Sequence, residues 1–406
     1  MKRAQSVVVA VIISTFFVGF GGGVVFPVLP NLGAVLGISP FMVGLILSAN
    51  RFARILANAP AGSLVDRIGT RWPFIAGLFI EGFATLGYIV ALDSALPEVW
   101  FIAARILWGL GSALVFATAF TIAADVSEGR SRGTSMGVVR GGLTLGFPAG
   151  LVMGGIVSDV YGVSTAFVVA AAFALFAGLI AYLLVPETHV ADKRSAVKPW
   201  ELDTSLPTLS VGIVNFGLFF AYLGALFATL VLFVEYHDIG VFGYGPQGMS
   251  GLLMAITVVS AAVFMLGGGK FSDLQGKRTP ILMVFLVVTF VGFLLLARAT
   301  GLVDIVIACI LIGSGQGGTS GPLVALLADF TPNERMGRAI GTNNVMGDLG
   351  AGFGPMVTLP LIDLIGFPAV YAACAAIPLL GGFLLLGGVY SQTGSFTPGT
   401  ELTLDD

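Results

Sequence analysis

Twelve stretches of the chain are almost purely apolar, and short polar segments separate them. The runs cover residues 6–29, 41–62, 73–92, 99–122, 136–157, 164–185, 209–234, 249–268, 279–298, 302–324, 340–361 and 367–389. Each is close to the roughly 20 apolar residues that cross a bilayer as a helix. None shows the roughly ten-residue alternation of a membrane-barrel strand. The pattern predicts an all-α integral membrane protein with 12 transmembrane helices. The run after Met1-Lys2-Arg3 is too long for a secretory h-region and lacks a small-residue cleavage site, so it is expected to stay as the first span.

The polar segments set orientation. Fourteen of the 19 Lys and Arg, from Lys2 and Arg3 through Arg67, Arg130, Lys193 and Lys277 to Arg338, fall in segments on the N-terminal side. The opposite loops hold Arg298, and Arg51, Arg54, Arg105 and Arg140 lie within spans. The positive-inside bias therefore predicts cytoplasmic termini in the cell membrane. The longest polar break, residues 186–208, has a basic middle and Pro199, and reads as a cytoplasmic linker. It divides the chain into a six-helix half at 1–185 and another at 209–390, followed by a cytoplasmic tail at 391–406.

Composition narrows the function classes. Of 406 residues, 56% are apolar and 10% charged, against about 25% charged in soluble domains. A net charge of −3 gives no reason to expect nucleic acid. Cys309 and Cys374 sit far apart in apolar runs, and the two histidines are His189 and His237. Neither a disulfide framework nor a metal site follows from them. No Ser/His/Asp set and no phosphate-binding Gly-x4-Gly-Lys-Ser/Thr loop is present. The chain is expected to be no enzyme, to need no cofactor and to use no ATP. The short ends, Met1–Gln5 and Ser391–Asp406, argue against a signalling receptor.

The halves repeat. Gly62-Ser-Leu-Val-Asp66-Arg67-Ile-Gly69-Thr70-Arg71 returns as Gly269-Lys-Phe-Ser-Asp273-Leu274-Gln-Gly276-Lys277-Arg278, an offset of 207. Gly109, Gly111, Asp125, Gly137, Gly146 and Gly150 return 204 positions later as Gly313, Gly315, Asp329, Gly341, Gly350 and Gly354. One coincidence means little in a glycine-rich chain, but an ordered series at near-constant offset marks two six-helix pseudo-repeats. Such repeats are a transporter architecture, with the pathway between them near the midplane.

These motifs resemble those of the major facilitator superfamily, and the resemblance runs over nearly the whole chain. Gly62–Arg71 is similar to the family's loop Gly-x-x-x-Asp-Arg-x-Gly-Arg-Arg, which latches the halves on the cytoplasmic side. The resemblance implies that Asp66 sits near a helix N-terminus in the other half, where an anion is favoured, and that Arg67 and Arg71 meet carboxylates. Thr70 replaces the usual base, and Leu274 replaces the Arg of the second copy, implying a weaker latch there. A plain basic turn is the alternative. Gly137-x8-Gly146-x3-Gly150-Leu151-x2-Gly154-Gly155 resembles the family's antiporter signature at every glycine, with Leu151 where Pro is expected and Pro148 one turn earlier. The alternative is ordinary close packing through small residues. Arg105-x-x-x-Gly109 is similar to a segment whose Arg is tied to proton coupling; snorkelling to the outer interface is its alternative. The resemblance implies export of small organic molecules against protons.

Ionisable residues inside spans are functional candidates. Arg51 and Arg54 lie on neighbouring helical positions of the second span; Glu81, Arg140 and Asp348 lie in the third, fifth and eleventh. Glu81 or Asp348 is a candidate proton carrier, while a structural Glu81–Arg pair is the competing reading. Asn50, Asn58, Asn215, Gln316, Asn343 and Asn344 either line a cavity or bond across helices. Pro27-x-x-Pro30, after Gly21–Gly23, predicts a bent first span. The expected partners are a small-molecule substrate, protons and the lipid bilayer, and the chain is expected to work as a monomer. Import of a sugar or organic anion is the other transport reading.

Overall fold

The computed structural model describes residues 2–125, 132–188, 202–240, 243–332 and 334–398. The centre of the expected linker (189–201), the end of the expected tail (399–406) and the side chain of Asp273 lie outside the described residues. Helices account for every regular element described. In lipid, backbone N–H and C=O groups have no water to bond, so an apolar run satisfies them within itself as a helix.

The first span is α1, Lys2–Val24, followed by a turn and a short α2, Leu29–Leu36. Next come α3 (Pro40–Ile68), α4 (Arg71–Leu92), α5 (Pro97–Asp125), α6 (Arg132–Tyr161) and α7 (Val163–Leu184). The seventh span is α8 (Leu206–Phe219), a π-helical stretch (Phe220–Leu226) and α9 (Phe227–Tyr236). Then follow α10 (Pro246–Gln275), α11 (Arg278–Arg298), α12 (Leu302–Asp329) and α13 (Met336–Thr393). Among the described residues, eleven helical stretches are long and apolar enough to cross a membrane. The last, α13, holds 58 residues, about 87 Å of helix at 1.5 Å per residue, against a hydrocarbon core of about 30 Å. It contains two spans. Gly366, at φ 77° and ψ 165°, breaks it between the predicted runs at 340–361 and 367–389.

Local signals explain the boundaries. Ser39 caps α3, its hydroxyl accepting from the Met42 N–H at 3.4 Å, with Pro40 in the first helical position. The helices run a few residues past the apolar runs. In the first unit exposed aromatics stand at the helix ends, Trp72 and Tyr182 on one side and Trp100 and Tyr161 on the other, the residue types that favour a membrane interface.

The chain forms two compact units, Met1–Trp200 with Gly240–Ala255, and Glu201–Ile239 with Ile256–Asp406. In the first, α1 packs on α6 and α7, α3 on α5, and α4 on α5 and α7. Its core joins Val11, Val18, Phe74, Leu78, Val115 and Ala177, all almost completely buried. In the second, α8 packs on α13, and α11 packs on α12 and α13, around Val214, Leu286, Leu327 and Leu385.

Candidate functional site

The polar cluster of the first unit is built around Arg105. Gly109 on α5 lies against the backbone carbonyl of Asn50 on α3, and a side chain there would collide with it. That close approach brings Arg105, one turn earlier, onto the α3 backbone. Its Nε donates to the Ile46 carbonyl at 3.2 Å, and Nη2 donates to the Leu47 carbonyl at 2.9 Å and to Asn50 Oδ1 at 2.6 Å. The guanidinium also lies 5.8 Å from the Trp108 ring centroid. Arg105 is 1% exposed, so it does not snorkel. Its charge is held inside the unit by oxygen atoms, two of them supplied by helix backbone.

Glu81 on α4 is also 1% exposed. Gly77, one turn earlier, packs on the Gly111 carbonyl, and the missing side chain at Gly111 leaves room for the Glu81 methylenes. Glu81 Oε1 is buried without a hydrogen-bond partner. Arg54 on α3 is close enough to act on the Glu81 carboxylate electrostatically, and its guanidinium lies 5.3 Å from the Phe116 ring centroid. Arg54 is thus one α3 arginine associated with Glu81. Arg51 is half-buried and Arg140 is exposed. Asp348, half-buried, belongs to the second unit.

The glycines of α6 form a stripe against α1. Gly146 meets the Phe16 carbonyl, Gly150 the Phe20 carbonyl and Gly154 the Val24 backbone, while Gly19 and Gly23 of α1 meet the carbonyls of Leu143 and Phe147. Each contact is too close for a side chain. Gly155 points elsewhere, onto the backbone of Gln247 and Gly248. Gly137 has nothing within 4 Å and takes no part in the seam. The second unit repeats the arrangement: Gly350 meets the Phe216 carbonyl, and Gly354 packs on Gly224 beside the Phe220 carbonyl.

The first span of each unit is interrupted, at different places. Residues 25–28 form a turn between α1 and α2, as Pro27 and Pro30 predict. In the second unit, Phe220–Leu226 widens to a π-helix. Asn31 Oδ1, three residues after the turn, is buried and unsatisfied, as are Gln316 Oε1 and Asn343 Oδ1 elsewhere. Asn215 bonds across helices, its Nδ2 donating to the Asn343 carbonyl at 2.8 Å.

The loop between α3 and α4 is organised by a carboxylate that is not part of the motif. Asp66 and Arg67 are exposed at the end of α3, and Glu187 takes the helix N-terminus of α4. Its Oε1 accepts from the Thr70 N–H at 2.8 Å and the Thr70 hydroxyl at 3.0 Å, and its Oε2 from the Arg71 N–H at 3.3 Å. The carboxylate lies over Gly69, whose φ of 92° and absent side chain admit it. Thr70, conspicuous as a departure from the family pattern, is what receives this carboxylate. Gly62 has open space around it. In the second copy, Gly276 (φ 60°) ends the turn and Arg278 Nε pairs with Asp329 Oδ2 at 3.3 Å. Arg71 donates to a carbonyl instead, Nη2 to Tyr182 O at 3.1 Å.

Two carboxylates with structural work went unrecognised in the sequence, Glu187 and Asp159. Asp159, near the end of α6, accepts from the Gly248 N–H at 2.6 Å and caps α10. Their acidic character was visible, but the helix ends they meet are 117 and 89 residues away in the chain.

The model of the Major Facilitator Superfamily matches residues 11–355 and 251–403. The chain is similar to an uncharacterized MFS-type transporter of Methanocaldococcus jannaschii, with 24% identity over 391 residues, 95% of this chain and 98% of that one. It is similar to the multi-drug resistance efflux pump PmrA of Streptococcus pneumoniae, with 26% identity over 383 residues, 90% and 92% of the two chains. Among solved structures, that of the nucleoside transporter NupG superposes with a TM-score of 0.77 at 16% identity, over 94% of this chain and 99% of that one.

Proposed function

The chain belongs to the Major Facilitator Superfamily, and from that premise we propose that it exports small organic molecules by proton-driven antiport. Glu81 carries the coupling. It is a carboxyl in a membrane-spanning helix, closed off from solvent, with one oxygen lacking any donor. That oxygen is the place where a proton is taken up and given back during alternating access. Arg54 lies close enough on α3 to act on this carboxyl, and Arg105 ties α5 to α3.

The direction of transport rests on the glycine stripe. Gly146, Gly150 and Gly154 spell the antiporter spacing and fasten α6 to α1. The likeness to a multi-drug resistance efflux pump supports export and a substrate class of small organic toxicants. The termini and the loops bearing Arg67 and Arg278 then face the cytoplasm, following the basic residues.

Overexpression in a sensitive bacterial host should raise resistance to members of a panel of toxic organic compounds; sensitisation to them would reverse the proposed direction. With a compound so identified, an imposed pH gradient should drive uphill accumulation in proteoliposomes. The Glu81→Gln variant should retain exchange down a concentration gradient and lose the gradient-driven component. Wild-type accumulation by that variant would remove Glu81 from the coupling.

A further inference from the structure

Arg71 stands at the membrane boundary, at the start of α4, without the carboxylate partner that its counterpart Arg278 has in Asp329. Its Nη2 is taken by the Tyr182 carbonyl at 3.1 Å. Its Nε is buried with no acceptor. The guanidinium lies between two aromatic rings, 5.4 Å from the Trp72 centroid and 5.9 Å from that of Tyr182. Glu187 accepts with its carboxylate oxygens from the backbone N–H groups of Thr70 and Arg71 and from the Thr70 hydroxyl.

Directly below these rings a groove of about 450 Å³ opens between α4 and α7. Its walls are Trp72, Ile75, Ala76, Phe79, Leu179 and Tyr182. Trp72, Leu179 and Tyr182 are each about half exposed, at 55%, 47% and 47%. The groove is apolar along its length, with two interfacial aromatics and the Arg71 cation beside them at one end.

We propose that this groove binds one anionic glycerophospholipid, with an acyl chain along Ile75, Ala76 and Phe79 and the phosphodiester at Arg71. The apolar walls match hydrocarbon, and Trp and Tyr are the side chains that settle at headgroup level. A guanidinium presents its donors in a fork that fits phosphate oxygens. Among the described residues its charge has no carboxylate side chain paired with it, so a headgroup of net negative charge completes the site better than a zwitterionic one. The site lies wholly in the first unit and stands apart from the transported substrate, so it holds whatever the direction of transport.

The test uses the full chain, delipidated in detergent and titrated with phosphatidylglycerol or phosphatidylcholine, with bound lipids counted by native mass spectrometry. One phosphatidylglycerol should be retained with a preference of about five-fold over phosphatidylcholine, the effect of one basic residue near a membrane surface. Arg71→Gln should reduce the preference to about one-fold. Ala76→Trp, on an exposed position of the groove floor, should exclude both lipids while leaving the far-UV circular dichroism and melting temperature unchanged. Equal retention of the two lipids by the wild type would overturn the proposal, and so would a folded Ala76→Trp that keeps the preference. If Arg71→Gln fails to fold, the Ala76→Trp result decides.

Discussion

A guanidinium at the depth of Arg105 needs acceptors, and the fold provides them by letting two helices touch at Gly109. The charge is expensive in hydrocarbon, roughly 2.5–3.5 kcal/mol on insertion scales, and three hydrogen bonds to Ile46, Leu47 and Asn50 offset it. Replacing Arg105 by Ala leaves the Asn50 amide oxygen without its donor, and should destabilise the protein by about 2–3 kcal/mol. The measurement is a melting curve in detergent, where Arg105→Lys should fall between Ala and wild type. A melting temperature unchanged by Arg105→Ala would show that the network does not hold α3 to α5. An Arg in an apolar run advertises itself in the sequence. Its acceptors do not, because Ile46 and Leu47 contribute backbone oxygens that no side-chain pattern records. The Glu187 cap is obscure for the same reason: what it binds is a helix end.

Between elements, small residues decide which helices come together. The α1–α6 seam places Gly19 and Gly23 against one helix, and Gly146, Gly150 and Gly154 against the other. A branched side chain at Gly146 or Gly150 would meet a backbone carbonyl that cannot rotate away. Gly146→Leu and Gly150→Leu should each cost about 1–3 kcal/mol by overpacking and sharply reduce transport, whereas Gly137→Ala, with open space around it, should leave both unchanged. Equal losses at all three positions would mean that the glycine spacing acts by something other than the seam. The spacing was legible because it is periodic. That Gly137 stands outside the seam was not, since an unbroken motif gives no sign of where the neighbouring helix ends. The first-span turn was likewise written in Pro27 and Pro30, but Phe220-Ala-Tyr-Leu-Gly-Ala-Leu226 contains no proline to announce its π-helix.

At the scale of the molecule the two units share a plan and differ in charge. Gly109 meets the Asn50 carbonyl, and Gly313 meets the Thr257 carbonyl. Where Arg105 bonds Asn50 in the first unit, the corresponding position in the second holds the buried, uncharged Cys309. Where Glu81 lies against Gly111, Thr289 lies against Gly315. The duplication was readable from glycines because backbone contact tolerates little change. The cut between units was less so: residues 240–255 cluster with the first unit, though α10 is one continuous apolar run, and the Asp159 cap that fastens them is a single distant bond. The proposed topology is testable at Ser395. A single cysteine there, in a Cys309→Ala, Cys374→Ala background, should react with an impermeant maleimide in inverted vesicles and be protected in intact cells; the reverse pattern would turn the molecule over. One further consequence comes from Gly366, which alone separates the last two spans. With no loop to spare, the reversal between these spans depends on one positive-φ residue, so a β-branched side chain at Gly366 would strain the only place where the chain can turn back into the bilayer.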